Sequence, residues 1–334
     1  MWELVPFAPT HNLIGCKWVF RVKLNADGSI SRYKAGLVAH GLKQQYGVDF
    51  DQTFSPVFKT ATIRTLLTIV VSQHSELRQL DVKNAFLNGV LSEVAHMKQP
   101  SGFINPAFLN HSCLLKKSLY GLKQAPRAWF DKVSRFLLSY DFIKSAADSS
   151  LFIFKSSVVT IYLLLYVDDI IITGSSSSIL QQFIDDFNAQ FLINDLGRLS
   201  FFLGIEVQHD SHGLFLCQKK YLAGSISHGL SITTASSLNI LAYADTDLVG
   251  CPTIRRSTSG YCVFFGGNLI SWSSKKQPTV ARSSSEAKYR ALASAAAKVT
   301  WILLKDPHIT LSTTPVVFCD NISATYLAYN PVQH

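Results

Sequence analysis

Apolar positions in the first hundred residues follow the two-residue period of strands and the longer period of a helix. Residues 16–23 alternate apolar and basic side chains, and the pattern resumes over 29–39, which predicts a basic β-hairpin. Residues 61–71 predict a buried helix or its start. Residues 77–86 contain an apolar strand that ends on Asp81. Burying that carboxylate is costly unless a cation offsets its charge, although a lone aspartate here is more often a turn or cap residue.

The most apolar stretch, residues 161–174, holds one pair of adjacent carboxylates, Asp168 and Asp169. The runs on both sides are rich in β-branched and aromatic residues and are as short as strands, so they predict a hairpin with the pair at its tip. The first run has about ten apolar residues, half the length of a membrane-spanning helix, so no span is predicted. On its own, the Asp pair would favour an ordinary turn.

A loop and a helix are predicted before this hairpin. Gly121 and Pro126 mark residues 118–129 as a loop that leads into a helix, with proline near the first helical turn. The start of that helix offers backbone donors together with Lys123 and Arg127, which suit a phosphate group. The alternative is a plain amphipathic helix with a basic end.

A second helix and a second hairpin are predicted after the Asp pair. Serines at 175–178 precede the helix, and residues 199–207 and 213–218 form the hairpin. Its turn contains His209 and His212, which we interpret as a polar turn rather than a metal site. The predicted inner face of the helix consists of Leu180, Phe183, Ile184, Phe187 and Phe191.

From residue 223 onward the chain changes character. Serine and threonine cluster over 225–237, which predicts a junction between two domains. Asp245, Glu286 and Asp320 fall at predicted strand or helix ends; each is unremarkable alone, but together they could form a second metal site. The predicted elements of this half are strands at 238–245, 260–265 and 268–273, a helix at 284–304 and a strand at 316–320.

Composition limits the classes of function. The 334 residues are 48% hydrophobic and 16% charged, as in a globular chain, and the net charge of +9 suits a polyanionic partner such as nucleic acid, or only solubility. The basic hairpin could contact phosphate through Arg32 and Lys34, or present an ordinary solvated face. Six scattered cysteines without a Cys-x-x-Cys pair indicate reduced thiols. Since no signal peptide is recognised, we expect a cytoplasmic or nuclear protein rather than a secreted one.

The motifs resemble those of the Pol polyprotein of copia-type LTR retrotransposons over almost the whole chain. The Tyr-x-Asp-Asp box at 166–169 is typical of reverse transcriptases. The other matching blocks are GCKWVF at 15–20, TFSPV at 53–57, QLDV at 79–82, NAFL at 84–87, KSLYGLKQAPRAW at 117–129, FLGIEV at 202–207, RSTSG at 256–260, SWSSKKQ at 271–277 and CDN at 319–321.

This resemblance implies an α+β fold and a polymerase activity. We expect right-hand polymerase fingers and palm, followed by a partial RNase H-like α/β domain. By position, Asp81, Asp168 and Asp169 are the polymerase carboxylates, and they would hold two Mg²⁺ ions with help from the carbonyl of Val82. The implied partners are an RNA template, a DNA primer, their RNA–DNA hybrid and dNTPs, with no membrane.

The resemblance also assigns roles around the metal site. Lys34 and Arg127 are nucleotide-binding candidates, Phe86 is the gate against a ribose 2′ hydroxyl, and Gln124 is the pocket glutamine beside the incoming nucleotide. The turn formed by Leu203 and Gly204 corresponds to the grip on the primer end. In the second half, Asp245, Glu286 and Asp320 are the expected remnant of the RNase H site.

Three departures from the family pattern predict impairment. Gly36 stands where an arginine is expected to clasp the triphosphate. Most of the thumb is missing, because several tens of residues expected after Tyr221 are absent. Lys288 occupies the position of the likelier RNase H metal ligand. The expected domains are therefore reverse transcriptase over 1–221, a junction over 222–237 and a truncated RNase H-like domain over 238–334.

Two functions of different classes follow from these residues. The first is an impaired RNA-directed DNA polymerase that has lost RNase H activity. The alternative is a non-catalytic, nucleic-acid-binding remnant of the polyprotein. A cellular metal-dependent nuclease has little support, because the best-preserved motifs are those of the polymerase.

Overall fold

The structure is a computed structural model that describes residues 1–8, 11–25, 27–218, 228–303, 311 and 313–330. The helices are α1 Thr60–Ser72, α2 Ala125–Ser139, α3 Ser177–Phe191, α4 Ser284–Leu303 and α5 Ile322–Tyr329. The strands are β1 Trp2–Pro6, β2 Leu13–Ile14, β3 Cys16–Leu24, β4 Ile30–Ala39, β5 Glu76–Val82, β6 His96–Met97, β7 His111–Leu115, β8 Ile143–Lys144, β9 Leu151–Lys155, β10 Thr160–Tyr166, β11 Asp169–Gly174, β12 Ile193–Arg198, β13 Phe201–Phe202, β14 Ile205–His209, β15 Gly213–Cys217, β16 Gly229–Thr233, β17 Ile240–Thr246, β18 Thr258–Phe265, β19 Asn268–Lys276 and β20 Val316–Cys319.

A six-stranded sheet in the order β12-β5-β11-β10-β9-β8 forms the centre of the first half. Its neighbouring strands are antiparallel. Because side chains alternate across a strand, Ile170 and Ile172 pack under α2 and α3, while Ile171 packs under α1 on the other face. Burial on both faces explains why β10 and β11 are continuously apolar rather than alternating.

The N-terminal segment builds two smaller units. One is a four-stranded sheet in the order β1-β7-β6-β2, with its own core around Ile14, Met97 and Leu115. The other is a ribbon of β3 and β4 that is paired with no other strand among the described residues. Along this ribbon Arg21 lies opposite Lys34, so the cations of the two strands share one face.

The second half contains a sheet in the order β19-β18-β17-β20, with β17 and β20 parallel and α4 packed across it. Between the halves lies a sheet in the order β13-β14-β15-β16, whose last strand falls in the region predicted as a junction. The core of α1 continues through this sheet into β17–β19 and α4. The halves therefore share one hydrophobic cluster.

Most sequence-based element predictions are confirmed. The basic hairpin, the Asp-Asp hairpin, the helices at α1 to α4 and the meander of β17 to β19 occur where expected, and the predicted inner face of α3 is buried. The apolar pattern did not predict helix α5 or the strands β1, β2, β6, β7, β8, β9, β12 and β16. The predicted thumb deletion at Tyr221, the first part of the junction and the end of the predicted helix at 304 lie outside the described residues.

Two further observations concern predictions made from composition. All six cysteines are free thiols, and Cys113, Cys217 and Cys251 are buried. Within the described part of the chain, no helix combines the length and the apolarity needed to cross a bilayer.

Candidate active site

Three carboxylates meet at the ends of two adjacent central strands. Asp169, the first residue of β11, pairs directly with Asp81 of β5, and Asp168 precedes it in the turn from β10. Directly opposed residues of an antiparallel pair have Cβ atoms about 5 Å apart, so Asp81 and Asp169 face each other closely. Residues far apart in sequence thus form one acidic group.

The acidic group is poorly neutralised by its surroundings. Burial raises the pKa of Asp169 to about 6, and the charges of Asp168 and Asp81 add to the rise, while a hydrogen bond from Gln79 opposes it. Burial also raises the pKa of Asp168, with Asp81 adding and Lys34 opposing. Like charges held together in a partly buried site favour either a proton or a cation. The group is therefore poised to bind positive charge.

Neighbouring side chains hold the Asp turn in an unusual conformation. Val167 has φ of 53°, in the left-handed region that a β-branched residue avoids. The buried Trp129 of α2 donates from Nε1 to the carbonyl of Val167 at 2.5 Å, and the Val82 amide donates to the carbonyl of Asp168 at 2.9 Å. Asn194 of β12 donates to Asp81 at 3.3 Å. The first two contacts hold the backbone of the Asp turn, and the third holds the Asp81 side chain.

The sequence did not assign these positioning roles. Trp129 was placed only on the apolar face of its helix, and its position in the KSLYGLKQAPRAW motif was the one available signal. Gln79 and Asn194 reach the acidic group from β5 and β12 because both strands lie beside each other in the sheet, and β12 was not predicted at all.

The donor chemistry of the acidic group fits Mg²⁺, which prefers carboxylate and carbonyl oxygens. The uncompensated charge of Asp81, Asp168 and Asp169 is what a divalent cation would neutralise. Among the residues that the structure describes, however, no three His, Cys, Asp or Glu side chains are arranged to hold a metal by themselves. Mg²⁺ commonly takes one or two protein carboxylates and completes its shell with water and substrate phosphates, so the group fits such a shared site.

A pocket of about 580 Å³ opens beside the basic ribbon of β3 and β4, and Lys34 and Gly36 are among its lining residues. Tyr120 also lines it, and the Asp168 and Asp81 charges contribute to the raised pKa of this tyrosine, after burial. Phe86 packs against Tyr120 with ring centroids 4.8 Å apart. The structure therefore brings Lys34 and Phe86 to the neighbourhood of the acidic group.

Gln124 and Arg127 are engaged with other protein groups. Gln124 is buried, accepts from Gln44 at 2.9 Å and donates to the carbonyl of Asp49 at 2.9 Å. Arg127 pairs with Asp131, one turn later in α2, at 2.9 Å. Gln124 thus connects the start of α2 to the segment after β4. A ligand that binds Arg127 would have to compete with Asp131.

Leu203 and Gly204 form the two-residue turn between β13 and β14, both with positive φ, 49° and 86°. Such a turn matches the twist of paired strands, and the second position suits glycine. Phe58 links this turn to the Asp hairpin, because its ring lies 5.7 Å from that of Phe202 and 5.5 Å from that of Tyr166. The predicted primer grip is therefore packed to the hairpin through one aromatic contact chain.

Comparison with known proteins identifies the family. The model described as "Reverse transcriptase (RNA-dependent DNA polymerase)" matches residues 1–242. The chain belongs to the reverse transcriptase family. It is similar to Pol polyproteins of copia-type transposons: 37% identical to that of RE1 and 36% to that of RE2, both from Arabidopsis thaliana, and 31% to that of TNT 1-94 from Nicotiana tabacum.

These matches cover the whole of this chain, but the chain spans only 29% of the RE1 and RE2 polyproteins and 32% of the TNT 1-94 polyprotein. The two Arabidopsis alignments extend over 421 positions against 334 residues here, so these relatives carry residues without a counterpart in this chain. A foamy viral protease-reverse transcriptase structure aligns with 98% of this chain and 64% of that chain at 11% identity, with a TM-score of 0.29, which is too low to bear on the fold.

A second acidic group lies in the C-terminal half of the chain. Lys288 of α4 pairs with Asp245 at 3.1 Å and with Asp320. The contact with Lys288 lowers the pKa of Asp245. The pKa of Lys288 is raised, and its hydrogen bond to Asp320 is the largest cause. Glu286 instead bonds to the Arg282 amide and to Arg290, both at 2.7 Å. The structure thus brings Asp245 and Asp320 together around a lysine, without Glu286.

Proposed function

We propose that this chain is an RNA-directed DNA polymerase of weakened activity, acting on an RNA template, a DNA primer and dNTPs. The convergence of Asp81, Asp168 and Asp169 on two adjacent strands carries the proposal. Membership of the reverse transcriptase family supports it. The proposed domains are the polymerase over 1–221, a junction over 222–237 and an RNase H-like remnant over 238–334.

In this function Asp81, Asp168, Asp169 and the Val82 carbonyl would hold Mg²⁺, two ions in each polymerase site. When bound, the ions supply charge neutralisation for in-line phosphoryl transfer to a primer hydroxyl. The chain itself positions the reactants: Trp129 and the Val82 amide fix the Asp turn, and the turn at Leu203 and Gly204 supports the primer end.

The nucleotide pocket supports the proposal of reduced activity. Lys34 is the cation that contributes to the electrostatics of Asp168, and Gly36, two residues later, has no side chain to offer the triphosphate. One missing charged contact of this kind costs roughly 2–4 kcal/mol in the transition state. An ideal Cβ on Gly36 would lie 4.0 Å from the nearest atom, the Val19 carbonyl oxygen, so the backbone has room for a side chain.

Primer extension on an RNA template with Mg²⁺ tests the polymerase. Asp168→Asn removes one charge from the acidic group and is expected to abolish extension, whereas the matched control Asp185→Asn, on α3, is expected to extend as the parent chain does. Gly36→Arg is expected to raise extension about tenfold or more, because it returns a cation to the pocket. Equal extension by the parent and Asp168→Asn would refute the proposal.

The second candidate is a nucleic-acid-binding remnant without catalysis. The observation that favours it is the Lys288 bridge between Asp245 and Asp320, which puts a cation where the RNase H site would need a metal. It predicts binding to an RNA–DNA hybrid that weakens with salt, with no extension product. In either case we expect no release of label from the RNA strand of a hybrid; release that Asp320→Asn abolishes would contradict the loss of RNase H activity.

A further inference from the structure

A basic groove of about 950 Å³ lies between the edge strand β19 and helix α4, and its lining includes none of the carboxylates of the two acidic groups. Lys275 and Lys276 come from the strand, Arg290 and Lys298 from the helix, and Lys59 closes the groove from the first half of the chain. None of the described residues that line it is acidic. The groove therefore concentrates five cationic side chains contributed by both halves.

Two of these lysines share one aromatic ring. The Nζ atom of Lys298 lies 3.6 Å and that of Lys59 lies 4.4 Å from the ring centroid of Trp301. A ring face attracts ammonium groups, but two of them repel each other. Burial lowers the pKa of Lys298 to about 8, and the charge of Lys59 contributes. An anion in the groove would relieve this repulsion.

The carboxylates of the C-terminal half that lie close to the groove residues in sequence form ion pairs of their own. Glu286 pairs with Arg290 within α4, and Asp245 and Asp320 pair with Lys288. Lys276 donates to the thiol of Cys251 at 3.2 Å. In the described part of the chain, Lys59, Lys275 and Lys298 form no ion pair with a carboxylate, so their charge is available to an external anion.

The spread of the cations indicates an extended ligand. Arg290 and Lys298 are eight residues apart on α4, which corresponds to roughly 12 Å along the helix. Cations spread over this length suit an extended anion, and a nucleic acid presents a phosphate charge about every 1.7 Å of duplex axis. Arg and Lys side chains are the usual partners of that backbone.

We propose that this groove is a docking site for the phosphate backbone of nucleic acid, separate from the polymerase carboxylates and shared by the two halves of the chain. The choice of nucleic acid as the ligand rests on the proposed function, but the site needs no polymerase turnover. Docking here would hold a hybrid against the C-terminal half even though Lys288 blocks metal chemistry there.

Fluorescence anisotropy of a labelled RNA–DNA hybrid, titrated with the full chain at several salt concentrations, tests the groove. The double variant Lys59→Gln with Lys298→Gln is expected to bind about tenfold more weakly, and the slope of log affinity against log salt is expected to flatten by about 1.8, since each lost phosphate contact removes about 0.9. Lys298→Arg keeps the charge and is expected to bind as the parent chain does.

The control is the double variant Lys132→Gln with Lys155→Gln, which removes the same charge from α2 and β9, away from the groove. Thermal unfolding of all variants verifies that they are folded. An unchanged salt slope in the groove variant, or an equal loss in the control, would overturn the docking site. The result is separable from the polymerase proposal, because Asp168→Asn is expected to keep the parent salt slope while losing extension.

Discussion

Lys288 determines the chemistry of the second acidic group. Its ammonium group pairs with Asp245 and Asp320 and occupies the position between them that a divalent cation would need. Both carboxylates are largely exposed, 76% for Asp245 and 65% for Asp320, so these ion pairs add little stability. These ion pairs therefore contribute little to the stability of the fold while they fill the space between the two carboxylates with a cation.

Exchanging Lys288 for a carboxylate is expected to turn the second acidic group from one that holds a lysine into one that binds a divalent cation. Lys288→Glu replaces two attractions by repulsion among three carboxylates, and we expect a loss of about 1 kcal/mol in the free energy of unfolding without metal. Added Mg²⁺ is expected to restore it, because ligand binding to the native state is stabilising. Thermal unfolding with and without Mg²⁺, in an Asp168→Asn background that weakens the polymerase site, measures this.

The matched control is Lys288→Gln, which removes the same ion pairs but adds no metal ligand. It is expected to lose a similar or smaller amount of stability and to respond to Mg²⁺ no more than the Asp168→Asn background does. A metal response of equal size in Lys288→Gln and Lys288→Glu would show that residue 288 is not the decisive ligand position.

Among the elements, the Asp hairpin depends on helix α2 for its geometry. The Trp129 indole is 1% exposed and donates to the carbonyl of Val167, whose φ of 53° the isolated hairpin would not favour. Trp129→Phe removes the donor and leaves that carbonyl unpaired, at a cost of about 1–3 kcal/mol. We expect the extension rate kcat to fall about tenfold or more with little change in KM for the nucleotide, because a small displacement of the carboxylates affects the reacting geometry.

Phe187→Leu is the control for a purely structural effect. Phe187 is fully buried on α3 in the same hydrophobic cluster, but it has no hydrogen bond to the Asp turn. It is expected to lower the melting temperature while leaving kcat close to that of the parent chain. If both variants lowered kcat in proportion to their loss of stability, Trp129 would have no positioning role beyond packing.

The elements also explain how far the sequence alone could reach. β10 and β11 are long apolar runs buried on both faces, so the apolar pattern was sufficient to predict both strands. Strands β12 and β16 contain polar and glycine residues and exist because they pair with β5 and β15, which a local pattern does not reveal. The KSLYGLKQAPRAW motif made Gln124 a candidate for the nucleotide pocket. Its hydrogen bonds to Gln44 and Asp49 span roughly eighty residues of sequence, and no local pattern specifies them.

At the scale of the whole molecule, one hydrophobic cluster joins the two halves. It runs from Leu66 of α1 through Phe202 and Ile232 to Val263 and Val299. The family motifs predicted two domains on either side of a junction, and motif order carries no information on whether they share a core. A shared cluster of this kind makes unfolding of one half expose apolar surface of the other.

We therefore expect the chain to unfold in a single transition, seen at the same temperature by far-ultraviolet circular dichroism and by tryptophan fluorescence. Arg64 of α1 makes one of the polar contacts that link the halves: its guanidinium lies 4.0 Å from the ring centroid of Trp272, and it donates to the Ile270 carbonyl at 3.4 Å. Arg64→Ala is expected to cost about 1–2 kcal/mol and to lower the melting temperature by about 2–5 °C in both signals.

Arg135→Ala is the control, because Arg135 is exposed on α2 and donates only to a carbonyl of its own helix among the described contacts. It is expected to leave the melting temperature within about 1 °C of the parent. Two separate transitions in the parent chain would show that the halves fold independently despite the common cluster. In that case Arg64→Ala would shift at most one of them, and the basic groove, which needs Lys59 beside Trp301, would exist only while both halves are folded and in contact.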